Sequence, residues 1–91
     1  MNSWLVFIRN LLKRRYSPLV TKVICLDKMS DIMEFVNEAH KVNGDILVRK
    51  GVYTVDGKSI MGIVSLSPSD GVTVEYPEDA SNFADYINSK F

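Results

Sequence analysis

Asp56-Gly57-Lys58-Ser59-Ile60-Met61-Gly62-Ile63-Val64-Ser65-Leu66 is the stretch on which the fold turns. Asp-Gly is a strong turn signal, because both residues tolerate the backbone angles a tight turn demands. Ser59 follows at a natural N-cap position, where a hydroxyl can accept from an amide of the first helical turn. The spacing predicts a short helix from Ser59 to about Leu66. On that helix Ile63 and Leu66 point to a core, and Ile60, Met61 and Val64 sit at the surface. All five apolar residues buried at helical spacing is the competing arrangement, and the residues alone leave both open.

Upstream of the turn, Ile46–Lys50 and Val52–Val55 are two strand segments with Gly51 at the bend between them. Before them, residues 29–43 carry Ile32, Phe35, Val36, Ala39 and Val42 along one helical stripe. Asp27 or Ser30 is placed to cap that helix, and Asn43-Gly44 to close it in a left-handed conformation. Val20–Leu26 is rich in β-branched residues and reads as a strand, although its alternation does not choose a buried face. Downstream, Ser67–Gly71 is a loop by composition. Val72, Val74 and Tyr76 alternate with Thr73 and Glu75, the pattern of a half-buried strand. After Pro77, the residues Ala80, Phe83, Ala84, Ile87 and Phe91 form a last apolar helical stripe. The order is β-α-β-β-α-β-α. Four strands with three helices on one face make an open-faced α+β sandwich.

The 91 residues hold one domain with room for one modest core, so a surface site is expected rather than a deep cleft. Cys25 is the lone cysteine, which excludes an intrachain disulfide and fits a cytoplasmic location. Residues 1–19 carry Arg9, Lys13, Arg14 and Arg15 with no acid, a net of +4, while residues 20–91 carry seven bases against eleven acids, a net of −4. A domain of that sign is a poor partner for nucleic acid. Residues 20–91 are thus the expected domain, with 1–19 as an apolar and basic extension.

In that extension Trp4-Leu5-Val6-Phe7-Ile8 runs into Leu11, Leu12 and Lys13-Arg14-Arg15. The run is too short to span a bilayer. Its charges follow the apolar stretch, the reverse of a signal peptide. An interfacial helix at a membrane surface is one expectation. A loosely attached extension, or a misplaced translation start, is the other.

The string Lys58–Leu66 resembles the regulatory-serine segment of HPr, the histidine-containing phosphocarrier family of the sugar phosphotransferase system. The resemblance spans residues 20–91 and is strongest from Asp45 to Leu66. It implies an HPr-like sandwich whose four-stranded antiparallel sheet carries three helices on one face. In the family, a histidine at the start of the first helix accepts phosphate from enzyme I and passes it to transport proteins. The family spacing, counted back from Ser59, places Lys28 at that position. Where the family reads His-x-Arg-Pro, this chain reads Lys28-Met29-Ser30-Asp31. An ordinary lysine amine is protonated at neutral pH and is not a nucleophile. His40, the one histidine, falls near the C-terminal end of the same helix, where the helix dipole opposes an anion. The loop between the fourth strand and last helix is also shorter than is usual in the family.

The resemblance implies Ser59 as a phosphorylation site for HPr kinase/phosphorylase. It also implies a docking surface of Met29, Lys58, Ile60, Met61 and Val64 for enzyme I, the kinase, the catabolite control protein or other phosphotransferase-system proteins. No cofactor and no metal are expected, and no paired carboxylates or nucleophile–base pair suggest an independent enzyme. The leading expectation is a non-enzymatic regulatory and interaction protein without a phosphorelay. The alternatives are a phosphocarrier that uses a non-standard residue, and a membrane-surface adaptor held by residues 1–19.

Overall fold

A computed structural model describes residues 18–91. The expectations for the N-terminal extension therefore fall outside the described residues, apart from Pro18 and Leu19. The elements are β1 (Leu19–Ile24), α1 (Met29–His40), β2 (Leu47–Lys50), β3 (Tyr53–Asp56), α2 (Ile60–Ser65), a single 3-10 turn (Pro68–Asp70), β4 (Val72–Pro77) and α3 (Ser81–Lys90). All sheet pairings are antiparallel, in the order β1-β4-β2-β3. The fold is an α+β open-faced sandwich, as the sequence predicts.

The sheet's helix-facing side follows from the register. Lys22 pairs with Val74, Val74 with Val48, and Val48 with Val55, so these four lie in one row across the sheet. Val20 and Tyr76 form the row to one side, Ile24 and Val72 the row to the other. β1 gives no clean alternation in sequence because a lysine occupies one of its three inward positions. Lys22 lays its aliphatic stem on the core side and carries its ammonium out to Asn88 Oδ1 on α3, at 2.9 Å. β1 starts one residue before the expected boundary at Val20. The Pro18 carbonyl accepts from the Glu78 amide at 2.9 Å, which extends the pairing with β4.

The core is the set of stripes read from sequence. Ile32, Phe35, Val36 and Ala39 of α1, Ile63 of α2, and Phe83 and Ile87 of α3 close on Val48, Val72, Val74 and Tyr76 of the sheet. Burying each large apolar side chain contributes about 1.5–3 kcal/mol. Phe83 stands edge-on to both Phe35 (5.6 Å between ring centres) and Tyr76 (5.3 Å), which joins α1, α3 and β4 through one aromatic group. Such contacts add about 0.5–1.5 kcal/mol each beyond the area they bury.

Two glycines are required by geometry. Gly51 begins the two-residue β2–β3 turn at φ 61°, which a side chain would strain. Gly57 packs flat on Ile46, and a Cβ there would lie 2.5 Å from Ile46 Cγ2. The Gly57 amide donates to the Ile46 carbonyl, so the Asp56-Gly57 turn is pinned to the strand beside it.

Candidate functional site

The site begins at the first turn of α1. Its N-cap is Lys28, extended at φ −111° and ψ 149°, and no side chain caps the helix. This corrects the expectation that Asp27 or Ser30 would cap it. The Lys28 carbonyl accepts from the amides of Asp31 (3.0 Å) and Ile32 (3.1 Å), which makes residue 28 the boundary residue. Asp27 lies one residue too early, and Ser30 is already inside the helix. The other end of α1 differs as well. Neither Asn43 nor Gly44 has a positive φ. The helix tightens instead, with Lys41 donating to the Glu38 carbonyl and Val42 to the Ala39 carbonyl.

Residue 28 therefore stands where the first-turn amides of a twelve-residue helix are free to meet an anion. The side chain at that place is an exposed lysine. Ser30 and Asp31 follow within the first turn, and Asp31 is held by Lys90 of α3 at 3.2 Å. His40 is the last residue of α1 and is exposed. At 1.5 Å of rise per residue it sits about 18 Å along the axis from Lys28, at the negative end of the dipole.

The second part of the site is α2, which packs against α1 and β3. Ser59 is its N-cap, and the Ser59 Oγ accepts from the Gly62 amide at 3.1 Å. Glycine at position 62 lets the helix approach β3, since a Cβ would lie 3.1 Å from Val55 Cβ. Ile63 is fully buried and Leu66 nearly so, while Ile60 is 37% exposed, Met61 78% and Val64 39%. The outward arrangement of Ile60, Met61 and Val64 is the one the fold adopts, and the fully buried alternative is not. On the neighbouring helix Met29 is more than half exposed, and so is Met33 one turn later. Met33 is not among the docking residues expected from the sequence. Its spacing of four from Met29, off the stripe of Ile32, Phe35, Val36 and Ala39, was the available signal.

Lys58 is half-buried and its charge is engaged. The ammonium donates to the Val42 carbonyl at 2.8 Å, and its amide donates to Asp56 Oδ1 at 2.9 Å. Among the described residues, no group of three or more His, Cys, Asp or Glu side chains converges as metal ligands would. No helix among them is long and apolar enough to cross a membrane.

Comparison with known proteins bears on the family and the fold. A family model described as the PTS HPr component phosphorylation site matches residues 30–83, a span that begins two residues after Lys28. No curated protein sequence matches the chain. Among solved structures, the chain is similar to HPr-C-His from Thermoanaerobacter tengcongensis, with 34% identity, 81% of this chain and 94% of that one covered, and a TM-score of 0.64. It is also similar to the phosphocarrier protein HPr from Bacillus anthracis strain Ames, with 29% identity, 75% and 90% covered, and a TM-score of 0.59. With a family model that matches more than half of its length and solved HPr structures that share its sheet and three helices, the chain belongs to the HPr family of the phosphotransferase system.

Proposed function

We propose that this protein is a regulatory, non-enzymatic member of the HPr family that binds other proteins through α1 and α2 and does not carry phosphate on a histidine. HPr proteins are phosphocarriers rather than enzymes and interact with other phosphotransferase-system proteins. The observation that carries the proposal is the residue at the α1 N-cap. The family spacing puts the acceptor histidine there, and this chain has Lys28, with Ser30-Asp31 in place of arginine and proline. A phosphocarrier needs a neutral nitrogen nucleophile beside the first-turn amides, and His40 lies at the far end of the helix.

The docking surface is Met29, Ile60, Met61 and Val64, with Met33 extending it along α1 and Lys58 at its edge. Exposed apolar side chains on two adjacent helices suit a protein partner, because their burial would recover hydrophobic free energy left unused in the free domain. Ser59 is the regulatory site. A phosphate on its oxygen would meet the amides at the start of α2, and it would add negative charge beside Ile60 and Met61. HPr kinase/phosphorylase is the modifying partner this predicts, and the catabolite control protein or phosphotransferase-system proteins are the readers. The cytoplasm is where such partners act.

The test is incubation of the full chain with enzyme I and phosphoenolpyruvate beside an ordinary HPr. No acid-labile phosphate is expected on this protein under conditions that phosphorylate the control completely. Stoichiometric phosphohistidine at His40, or phosphate at Lys28, would establish the phosphocarrier alternative instead.

A further inference from the structure

At the end of the domain away from Lys28, a groove of about 770 Å³ lies between the close of α1 and the β4–α3 connection. Val42, Pro77, Ala80 and Phe83 line it with apolar surface, and Leu19 stands at its rim, more than half exposed. Its other wall is acidic. Asp45 and Asp79 line the groove, and Glu78 adjoins it through its amide bond to Pro18. None of these three acids forms an ion pair with a base among residues 18–91. Glu38, also on the wall, is already neutralised by Lys41 at 2.8 Å.

The chain itself arrives at this place. Leu19 opposes Pro77 in the β1–β4 register, so the residues before Pro18 issue from the rim of the groove. Those residues combine an apolar run, Trp4 to Ile8, joined after Arg9-Asn10 by Leu11 and Leu12, with a basic run, Lys13-Arg14-Arg15. The groove offers the complement of both, apolar lining with acids at the rim that pair with no base among residues 18–91. Lys13, Arg14 and Arg15 lie within about 18 Å of Pro18 at full extension, at 3.3–3.6 Å per residue. A tether that short gives the segment an effective concentration in the millimolar range, so weak contacts suffice to hold it.

We propose that the groove is the docking site of the chain's own N-terminal segment, with apolar residues of Trp4–Leu12 against Val42, Ala80 and Pro77, and Lys13, Arg14 and Arg15 facing Asp45, Glu78 and Asp79. An anionic membrane is the less suitable partner for the same segment. Insertion there would press Glu78, Asp79 and Asp45 toward like charge at the point where the chain emerges. This inference is independent of the missing histidine.

Trp4 is the only tryptophan, which makes the full chain its own reporter. Fluorescence of the wild type without lipid is expected to be blue-shifted relative to free tryptophan amide and several-fold less quenched by acrylamide, at every protein concentration. Leu19→Asp and the double variant Asp45→Lys/Asp79→Lys alter exposed residues. Each is expected to move the emission toward the solvent value with the circular dichroism unchanged. Nuclear Overhauser contacts from the Trp4 indole to the methyl groups of Val42 and Ala80 in the wild type give a readout that needs no variant. Solvent-like emission without such contacts would overturn the proposal. So would a blue shift that appears only with concentration, which would show a second copy as occupant. A blue shift that appears only with anionic vesicles would likewise overturn it in favour of a membrane.

Discussion

The Lys58 ammonium donates to the Val42 carbonyl at 2.8 Å, which ties the residue before the Ser59 cap to the chain leaving α1. The contact is partly buried and charge-assisted, and it spans 16 positions of sequence. It gives Lys58 a structural duty beside the docking role proposed for it.

Lys58→Met removes this bond and leaves the Val42 carbonyl without its ammonium. A charge-assisted bond contributes about 1.5–3 kcal/mol when buried and less when water reaches it, so a loss of about 1 kcal/mol is expected. Urea denaturation with an unchanged slope would measure it. Stability equal to wild type would mean that water replaces the ammonium without cost.

Ser59→Ala should cost about 0.5–2 kcal/mol, since Oγ accepts from the Gly62 amide, one of the first-turn donors that have no partner within the helix. Ser59→Asp keeps a capping oxygen and places negative charge at a helix N-terminus, so it should match wild type or exceed it at low salt. Thermal melts of the three proteins decide the matter. An alanine variant as stable as wild type would show that the cap is dispensable.

Phosphorylation at Ser59 makes a separate forecast. HPr kinase/phosphorylase with ATP should add one phosphate to the wild type and none to Ser59→Ala. Met61→Asp places a charge on the most exposed apolar side chain of α2, so it should slow the reaction while the melting transition stays intact. A complete absence of incorporation, with an ordinary HPr fully modified in parallel, would leave Ser59 as a helix cap alone.

Tyr86 predicts an alkaline limb of instability. Burial first, and then the Glu34 carboxylate, pushes its phenol from 10.0 up to about 12. Its hydroxyl finds no hydrogen-bond partner among the described residues. The unfolded chain releases this proton near the ordinary value and the folded chain holds it longer. The folded state therefore binds more protons in that window. The stability linked to the neutral phenol is complete below pH 10 and is lost as pH rises toward 12. Lys90, raised by its hydrogen bonds to Glu34 and Asp31, acts in the same direction. Tyr86→Phe should therefore lose less stability than wild type across this range. At neutral pH it should be at least as stable, since it removes an unpartnered buried hydroxyl. Denaturant melts at stepped pH would expose the error if both proteins fell equally.

Much of this protein is written locally. The Asp56-Gly57 turn, the Ser59 cap and the buried stripes of α1 and α3 depend largely on neighbours within a few residues and are readable from spacing. The outward setting of Ile60 and Met61, by contrast, is left open by spacing and decided by how α2 packs on α1 and β3. The proposed place of Lys28, at the position of the family histidine, rests on residue identity and on the spacing counted back from Ser59. Other features depend on partners distant in the chain. The order β1-β4-β2-β3 brings the first strand beside the last, and nothing within β1 specifies that neighbour. Lys22 faces the core side because its pairing with Val74 sets the register, and Asn88 of α3 is there to receive its charge. The α1 cap fell to Lys28 rather than to a better capping residue because the β1–β4 pairing, the Leu26 amide bond to the Pro68 carbonyl and the packing of Ile32 and Phe35 fix where the helix begins. Tertiary packing outweighs a cap preference of about 1 kcal/mol, and a sequence read one segment at a time has no access to that competition.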